Sequence, residues 1–461
     1  MGKHNRSNVW EQFHQRMQEQ HGLPFGELLA AEKVKAVLNK LDVQFRECVF
    51  TPITTLWVFL WQVLSPDHSC RDAVGRLLAW RLAQGKSPCS TETTSYCQAR
   101  QRLPIALLQT LVRDTSRELE QSAPPGWLWK NRHVKAGDGT TVTMPDTPVN
   151  QAAFPQSRNQ APGVGFPLAR LMIIVSLATG LALELAIGPT RGKKTGENTM
   201  FRGIQDVLEP GDIFLGDRYF CSYRDIARLR ERNVDVVLRQ HQTRHTDFRC
   251  GRWLATGDHI VVWTRPQFNA ARFTREEWEA LPPTMAVREI RYRVVENGFR
   301  TREIVVVTTL LDPSAYPAED LAGLYRQRWN CELDLRSLKT SLQMNHLRCK
   351  SPEMVEKEIW AHVLAYNLMR QTMAAAAEVA AVPPRQLSFK GTVQMVNHFT
   401  SYLAVCPLQR AQLWHELLRA IATHRVGDRL NRVEPRKLKH RLAKYTYMTR
   451  PRNEERQQLC A

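Results

Sequence analysis

The sequence lacks the features that mark several common classes of protein. Its ten cysteines are scattered, and no two of them form a C-x-x-C pair, so their spacing indicates neither a zinc ribbon nor a disulfide framework. No G-x-x-x-x-G-K-S/T loop occurs, so an ATP site of the Walker type is not expected. Residues 1–17 lack the apolar segment of a signal peptide. We therefore expect reduced thiols in a cytoplasmic protein.

Long apolar runs are also missing. The longest, residues 171–187, is short for a membrane span and contains Gly180 and Glu184. The Thr179-Gly180 pair at its centre predicts two adjacent buried strands joined by a turn. We therefore expect no membrane partner.

Basic residues outnumber acidic ones. The 461 residues include 64 Lys and Arg against 45 Asp and Glu, which gives a formal net charge of +19. A positive field attracts polyanions and favours nucleic acid as a partner, although an anionic membrane surface would attract the chain as well. The excess is spread along the chain, which argues against a basic tail on a neutral body.

Apolar spacing predicts an α/β protein with five regions. These are a helical N-terminal domain, a mixed sheet with helices packed on it, a β-rich insertion with a turn at Glu296-Asn297-Gly298, a second part of the core with a long helix, and a helical and basic C-terminal region. Their predicted bounds are residues 1–128, 129–240, 241–313, 314–372 and 373–461. In the first region, a short helix capped by Ser90 or Thr91 could belong to a DNA-reading helix-turn-helix or to an ordinary helical bundle.

The predicted long helix carries the pattern Y-x2-R-x3-E-x6-K, formed by Tyr325, Arg328, Glu332 and Lys339. At about 100° per residue, the four side chains of one uninterrupted helix would fall within an arc of roughly 60°. A carboxylate beside fixed cations suits a metal ion and a phosphodiester. A solvated face of charge pairs would have the same pattern.

Two aspartates favour the first interpretation. Asp138 lies in a predicted strand as GDGTT, and Asp217 ends another as LGDRYF. Each alone is also a common turn residue. If the sheet brings them together beneath the Glu332 helix, three carboxylates converge, and such hard oxygen ligands suit Mg²⁺ or Mn²⁺. Two ions could then activate a nucleophile and stabilise a leaving oxygen at a phosphodiester.

Across residues 130–372 the sequence resembles the DDE transposases of bacterial insertion sequences, in the group named for its YREK signature. The Asp-Gly-Thr block around Asp138, the Gly-Asp-Arg-Tyr-Phe block around Asp217 and the signature helix carry the resemblance. It implies a ribonuclease-H-like core with a β-rich insertion. It also implies that Asp138, Asp217 and Glu332 are the catalytic ligands of two metal ions, Mg²⁺ or Mn²⁺.

The resemblance also implies the activity and the partners. A bacterial, nucleoid-associated transposase would cut insertion-sequence ends and join the 3′-hydroxyl to target DNA, through a hairpin intermediate. It would bind double-stranded DNA as a homodimer, with end binding by the N-terminal domain. Tyr325, Arg328 and Lys339 would contact DNA phosphates or sugars. Two other functions stay open: a metal-dependent nuclease without strand transfer, and a non-catalytic DNA-binding protein derived from a transposase.

Two further candidate sites lie in the predicted insertion. Trp263 could stack an extruded base while Arg265 holds its phosphate, or it could fill the core of the insertion. His241 and His245 have the spacing of a metal pair on a helix, but they follow a strand in a polar stretch without an intervening Glu. We therefore do not expect a zinc site there.

Overall fold

The computed structural model describes residues 26, 29–192, 195–270, 273–293, 303–427 and 446–460. The predicted turn at Glu296-Asn297-Gly298 lies outside the described residues, and so does residue range 428–445 of the basic C-terminal region. No helix in the described ranges combines the length and apolar composition that a membrane crossing needs.

The described chain begins with a group of helices. They are α1 (Ala31–Lys40), α2 (Pro52–Leu64), α3 (Cys70–Ala83), α4 (Thr94–Arg102) and α5 (Ile105–Ser122). Side-chain caps define two of the starts, because Thr51 accepts from the backbone N–H of Thr54 before α2, and Ser69 accepts from that of Asp72 before α3. The predicted cap of α4 is wrong: that helix begins at Thr94, beyond both Ser90 and Thr91.

A mixed sheet of nine strands forms the centre of the molecule. The strands are β1 (Val134–Thr143), β2 (Leu168–Ser176), β3 (Ala182–Pro189), β4 (Ile213–Gly216), β5 (Asp235–Arg239), β6 (Arg252–Ala255), β7 (Asp258–Thr264), β8 (Thr284–Arg293) and β9 (Glu303–Thr308). Their order is β3-β2-β1-β4-β5-β9-β8-β7-β6. Only β1, β4 and β5 run parallel to one another among these paired strands. The strand predictions for residues 171–187 are confirmed by β2 and β3, which join through Gly180 at a φ of 77°.

The strands of the predicted insertion extend this same sheet. β9 pairs with β5 in antiparallel register, with Leu238 opposite Val307, and β8, β7 and β6 follow outward. Val307 is fully buried. The insertion is therefore continuous with the central sheet through backbone hydrogen bonds.

Further helices lie between and after the strands. They are α6 (Pro148–Ala153), α7 (Glu197–Ile204), α8 (Tyr223–Glu231), α9 (Arg275–Glu279), α10 (Ala318–Arg326), α11 (Trp329–Arg336), α12 (Pro352–Val379), α13 (Phe389–Val405), α14 (Arg410–Thr423) and α15 (Arg452–Cys460). The 28-residue α12 is buried along most of its length and shares one hydrophobic core with the N-terminal helices and with one face of the sheet. A second core, which contains Phe201, Phe214 and Phe220, covers the other face.

The predicted long signature helix is broken in two places. α10 ends at Arg326, α11 begins at Trp329, and Ser337–Ser341 forms a π-helical turn. Between α10 and α11 the N–H of Arg328 bonds to the carbonyl of Tyr325 at 3.1 Å, a tighter i to i−3 turn. The prediction of one uninterrupted helix face is therefore wrong.

Candidate active site

Asp138 and Asp217 lie at equivalent positions of two neighbouring parallel strands. The parallel register of β1 and β4 pairs Val134 with Ile213 and Ala136 with Leu215, an offset that sets Asp138 beside Asp217 when it is continued by two residues. Asp217 directly follows the last residue of β4, and neighbouring strands are about 4.8 Å apart, so this register would set the two aspartates side by side. Because side chains alternate along a strand, both aspartates lie on the same face as Ala136 and Leu215, which belong to the core beneath α12.

Backbone groups fix each aspartate. The N–H of Gly139 donates to Oδ1 of Asp138 at 2.8 Å, and the N–H of Arg218 donates to Oδ1 of Asp217 at 2.7 Å. Gly139 has a steric reason to be glycine, since a Cβ there would come within 2.5 Å of Cδ of Glu197. Each carboxylate therefore keeps one oxygen, Oδ2, outside these backbone bonds.

Arg328 joins the third carboxylate to this pair. Its Nη2 donates to Oε1 of Glu332 at 2.7 Å, and its Nη1 lies 3.9 Å from Oδ2 of Asp138. Although burial lowers the pKa of Arg328, the neighbouring Tyr325, Glu332 and Asp217 raise it above its ordinary value. A permanent cation thus lies among the three carboxylates that the sequence analysis singled out.

Asp138 is the carboxylate with the most perturbed environment. Burial raises its pKa from 3.8 to about 6, and the nearby Glu332 and Glu197 act in the same direction. The Gly139 N–H and Arg328 oppose that rise. A carboxylate that is costly to ionise in this way gains from a cation of higher charge beside it.

Tyr325 and Lys339 complete the signature around this group. Burial raises the pKa of Tyr325 to about 12, and its 8% exposure leaves little of the side chain accessible. Lys339 donates from Nζ to Oγ1 of Thr140 at 3.2 Å, two residues along β1 from Asp138 and on the same face. The structure therefore brings all four signature residues close to the aspartates, although they span two helices and a π turn.

Two charged residues that the sequence analysis missed belong to the same region. The β4–β5 register pairs Gly216 with Leu238, and one further step places Arg239 beside Asp217. Arg239 lowers the pKa of Tyr325 through its charge. Glu197 begins α7 and contributes to the raised pKa of Asp138. Neither residue belongs to a recognisable sequence motif. Their place near the aspartates becomes visible only from the strand register and from the packing of α7.

The three carboxylates fit a hard divalent cation by their chemistry. They offer oxygen ligands alone, at one edge of the parallel strands, with an unfavourable charge at Asp138 that a metal would relieve. Within the described ranges no group of three or more His, Cys, Asp or Glu side chains stands close enough together to hold an ion as it is. Arg328 lies among the carboxylates instead, so metal binding requires these side chains to rearrange.

Trp263 lies apart from this group, in the core on the opposite face of the sheet. It is 4% exposed, its indole N–H donates to Oε1 of Glu289 at 2.8 Å, and the guanidinium of Arg244 covers its ring at 3.7 Å. Arg265 packs on Trp278 at 3.7 Å. The burial of Trp263 favours the alternative in which it fills the core, and base stacking by Trp263 stays a prediction.

The remaining candidates have structural partners. His241 Nδ1 contacts Oγ1 of Thr243 at 2.8 Å, and the described residues contain no metal cluster around it. In α4, Tyr96 and Arg100 are buried, so neither is available to read a DNA groove. Gln98 and Arg102 of the same helix are exposed.

Comparison with known proteins adds to this geometry. Residues 129–368 match the family model described as Transposase DDE domain. The chain is similar to transposase InsG for insertion sequence element IS4 of Escherichia coli K12, with 28% identity over 401 residues, 85% of each chain. It is 20% identical over 271 residues to the transposase for insertion sequence element IS231C of Bacillus thuringiensis, covering 51% of this chain and 56% of the relative. Among solved structures, a piggyBac transposase synaptic complex with hairpin DNA aligns with a TM-score of 0.43 and 9% identity, over 86% of this chain and 84% of the other.

Proposed function

Since the chain belongs to the DDE-domain transposases and is a homologue of the IS4 transposase InsG, we propose that it cuts the ends of an insertion sequence and joins the freed 3′-hydroxyl to target DNA. We assign the acidic triad to Asp138, Asp217 and Glu332. The finer assignments, to the YREK group and to a ribonuclease-H-like core, are part of the same proposal.

One observation carries this proposal. Asp138 and Asp217 occupy matching positions on adjacent parallel strands, on the face where Arg328 links Asp138 to Glu332. Arg328 contacts two partly buried carboxylates, those of Asp138 and Glu332. A phosphodiester site needs such a combination, because carboxylates hold cations and fixed cations hold phosphates.

Divalent metal ions are the general cofactors of DDE transposase domains. We propose Mg²⁺ or Mn²⁺, two ions in number, held by Asp138, Asp217 and Glu332; when bound, they would activate the nucleophile and stabilise the leaving oxygen. The backbone bonds from Gly139 and Arg218 hold the two aspartates in place for this task.

The basic residues around the triad would bind the DNA. Arg328 donates to Oε1 of Glu332 and would bind a phosphate beside the triad. Lys339 and Arg239 flank the aspartates along β1 and β5 and would hold neighbouring phosphates. Tyr325 is mostly buried, so we propose that it supports Arg328 and contributes at most its hydroxyl to DNA.

Three parts of the proposal rest on the family alone: double-stranded ends and target as substrate, a homodimer on DNA, and a hairpin intermediate. A stacking role for Trp263 in that hairpin step stays a prediction. The cleavage and joining assay that tests the triad also tests the DNA substrate and the hairpin intermediate.

The test uses end-labelled DNA carrying the terminal repeats of the element, with Mg²⁺ or Mn²⁺ and a supercoiled target plasmid. We expect Asp138→Ala, Asp217→Ala and Glu332→Ala each to abolish nicking and to retain binding of the end DNA. Glu416→Ala is the matched control, because that exposed carboxylate of α14 forms an ion pair with the nearby Arg419. Near-normal cleavage by any of the three variants would remove that residue from the ligand set.

The same assay separates the alternative functions. Joining of the labelled end to the plasmid indicates a transposase, and nicking without joining indicates a nuclease that shares the core. Binding without cleavage at any metal concentration would indicate a non-catalytic DNA-binding protein. A product that migrates as a single strand of double length on a denaturing gel would identify the hairpin.

A further inference from the structure

A pair of cysteines lies inside the N-terminal helices, apart from the carboxylates. Cys70 is the first residue of α3, and Cys97 lies in α4. Their sulfur atoms are 3.9 Å apart. The segment that joins the two helices in sequence, residues 84–93, is largely exposed. The two thiols therefore form a contact between helices that are otherwise connected by a surface segment.

A buried arginine lies beside both sulfurs. Nη2 of Arg100 is 3.3 Å from Sγ of Cys70 and 3.7 Å from Sγ of Cys97. Its Nη1 donates to Oε1 of Gln62 at 3.2 Å, and the hydroxyl of Tyr96 donates to that same oxygen at 2.8 Å. Arg100 is only 8% exposed, so this guanidinium is held in place where negative charge on sulfur would develop.

The two thiols combine contact with access. Both are partly exposed, whereas Cys221, Cys331 and Cys349 are buried. Burial raises the pKa of Cys70, and the charge of Arg100 opposes that rise. A disulfide has an S–S length near 2.05 Å, so the sulfurs, now 3.9 Å apart, must approach by roughly 2 Å.

We propose that Cys70 and Cys97 are a redox-active pair that forms a reversible disulfide between α3 and α4. In a cytoplasmic protein such bonds are typically transient and redox-sensing. The oxidant is a small-molecule disulfide such as glutathione disulfide. This inference does not depend on the proposed transposase activity.

The exchange proceeds in two balanced steps. The Cys70 thiolate attacks one sulfur of glutathione disulfide, which forms a mixed disulfide and releases one glutathione thiolate. The Cys97 thiolate then attacks the Cys70 sulfur and releases the second. Two cysteine thiols are oxidised by two electrons, glutathione disulfide is reduced to two glutathiones, and the two thiol protons end on these products. Arg100 would stabilise each thiolate in turn.

The experiment uses the full chain, reduced and then equilibrated without oxygen in glutathione buffers of increasing oxidation. Free thiols are blocked with an alkylating reagent, and the intact mass and the proteolytic peptides are analysed by mass spectrometry. We expect an oxidised form with two fewer alkylated thiols out of ten and a cross-linked peptide that joins Cys70 to Cys97. Dithiothreitol should restore both thiols.

Matched variants test the assignment. Cys70→Ser and Cys97→Ser should each remove the cross-link. Cys89→Ser changes a partly exposed cysteine in the joining segment and should leave the midpoint redox potential of the Cys70–Cys97 cross-link unchanged. If a serine variant fails to fold, the cross-link map of the unmodified chain decides alone. Reduced thiols at both positions in the most oxidising buffer, or glutathione adducts or bonds to other cysteines in place of the cross-link, would overturn the proposal.

Discussion

At the scale of single residues, the candidate site contains a carboxylate, Asp138, whose ionised form is disfavoured by burial. Asp138 faces Glu332 and Glu197 in a half-buried setting, with Arg328 as its nearest cation at 3.9 Å. Burial raises the pKa of Asp138 to about 6. Sites that bind a ligand tightly commonly lower the stability of the empty protein in this way.

The first prediction concerns the stability of the metal-free chain. The folded-state pKa of Asp138, about 6, lies above its ordinary value of 3.8, so folding is most favourable when this carboxyl is protonated. The free energy of unfolding should therefore fall as pH rises between about 4 and 6, by about 3 kcal/mol at most from this group. In EDTA at pH 7.5, Asp138→Asn should raise the melting temperature, and at pH 4 it should not.

Added Mg²⁺ provides the matching control. It should raise the melting temperature of the unmodified chain at pH 7.5, because it binds the folded state and relieves the charge at Asp138. Asp138→Asn should lose most of that response. A variant that is less stable than the unmodified chain in EDTA at pH 7.5 would contradict the argument.

The second prediction concerns Lys339, whose ammonium group reaches Thr140 on β1. If it holds one phosphate, Lys339→Met should lower the slope of log affinity against log salt by about one unit, while Lys339→Arg keeps it. The measurement is end-DNA binding by anisotropy over a range of salt concentrations. Equal slopes for the two variants would place Lys339 away from the DNA backbone.

At the scale of elements, a buried ion-pair network fixes the helix that carries Glu332. Asp334, two residues further along α11, is fully buried and bonds to Arg370 of α12 and to Arg385. Arg385 also donates to the carbonyls of Ser176 and Leu177 at the end of β2. The short helix α11 is thereby tied to both α12 and the sheet.

The third prediction follows from this network. Asp334→Asn removes the charge that balances the buried Arg370 and the partly buried Arg385, so it should shift α11 and with it Glu332. We expect cleavage in Mg²⁺ to fall by at least tenfold, with a higher metal concentration at half-maximal rate and unchanged end-DNA binding. Glu416→Ala serves again as the control. If the rate fell without any change in metal dependence, Asp334 would matter for folding alone.

From the sequence, the strands and helices of the site could be predicted more accurately than their arrangement in space. The strands that carry Asp138 and precede Asp217 follow from their apolar patterns and Gly neighbours, and the signature spacing placed Glu332 on a helix. The break at Arg328 was not predictable, because neither Gly nor Pro marks it, and the Arg328 contacts with Glu332 and Asp138 are visible only in the structure. The contribution of Arg239 was likewise invisible, since it depends on strand register.

At the scale of the whole molecule, one sheet connects the insertion to the candidate site. β9 of the insertion pairs with β5, which in turn pairs with β4, the strand that ends next to Asp217. Alternation in the sequence predicted the strands of the insertion, but their place in the sheet depends on pairing between distant segments, which a single sequence does not reveal.

The fourth prediction uses this continuity. Val307→Asp puts an unpaired charge at a fully buried position of β9 and should cost more than about 4 kcal/mol, so the whole chain should lose its cooperative unfolding transition. Trp253→Ala, at a 67% exposed side chain of the edge strand β6, should change stability by less than about 0.5 kcal/mol. Circular dichroism melts of both variants give the comparison. A Val307→Asp chain that keeps most of its transition would show that the insertion folds independently.

The long buried helix α12 has a consequence for where the DNA is cut. It packs against α2 and α5 of the N-terminal helices and holds Asp334 through Arg370, so one rigid core runs from those helices to the neighbourhood of Glu332. If the N-terminal helices bind the terminal repeat, this rigid core fixes the distance from the recognised bases to the scissile bond. The number of base pairs between the recognised bases and the cleavage site would then be a fixed property of the fold.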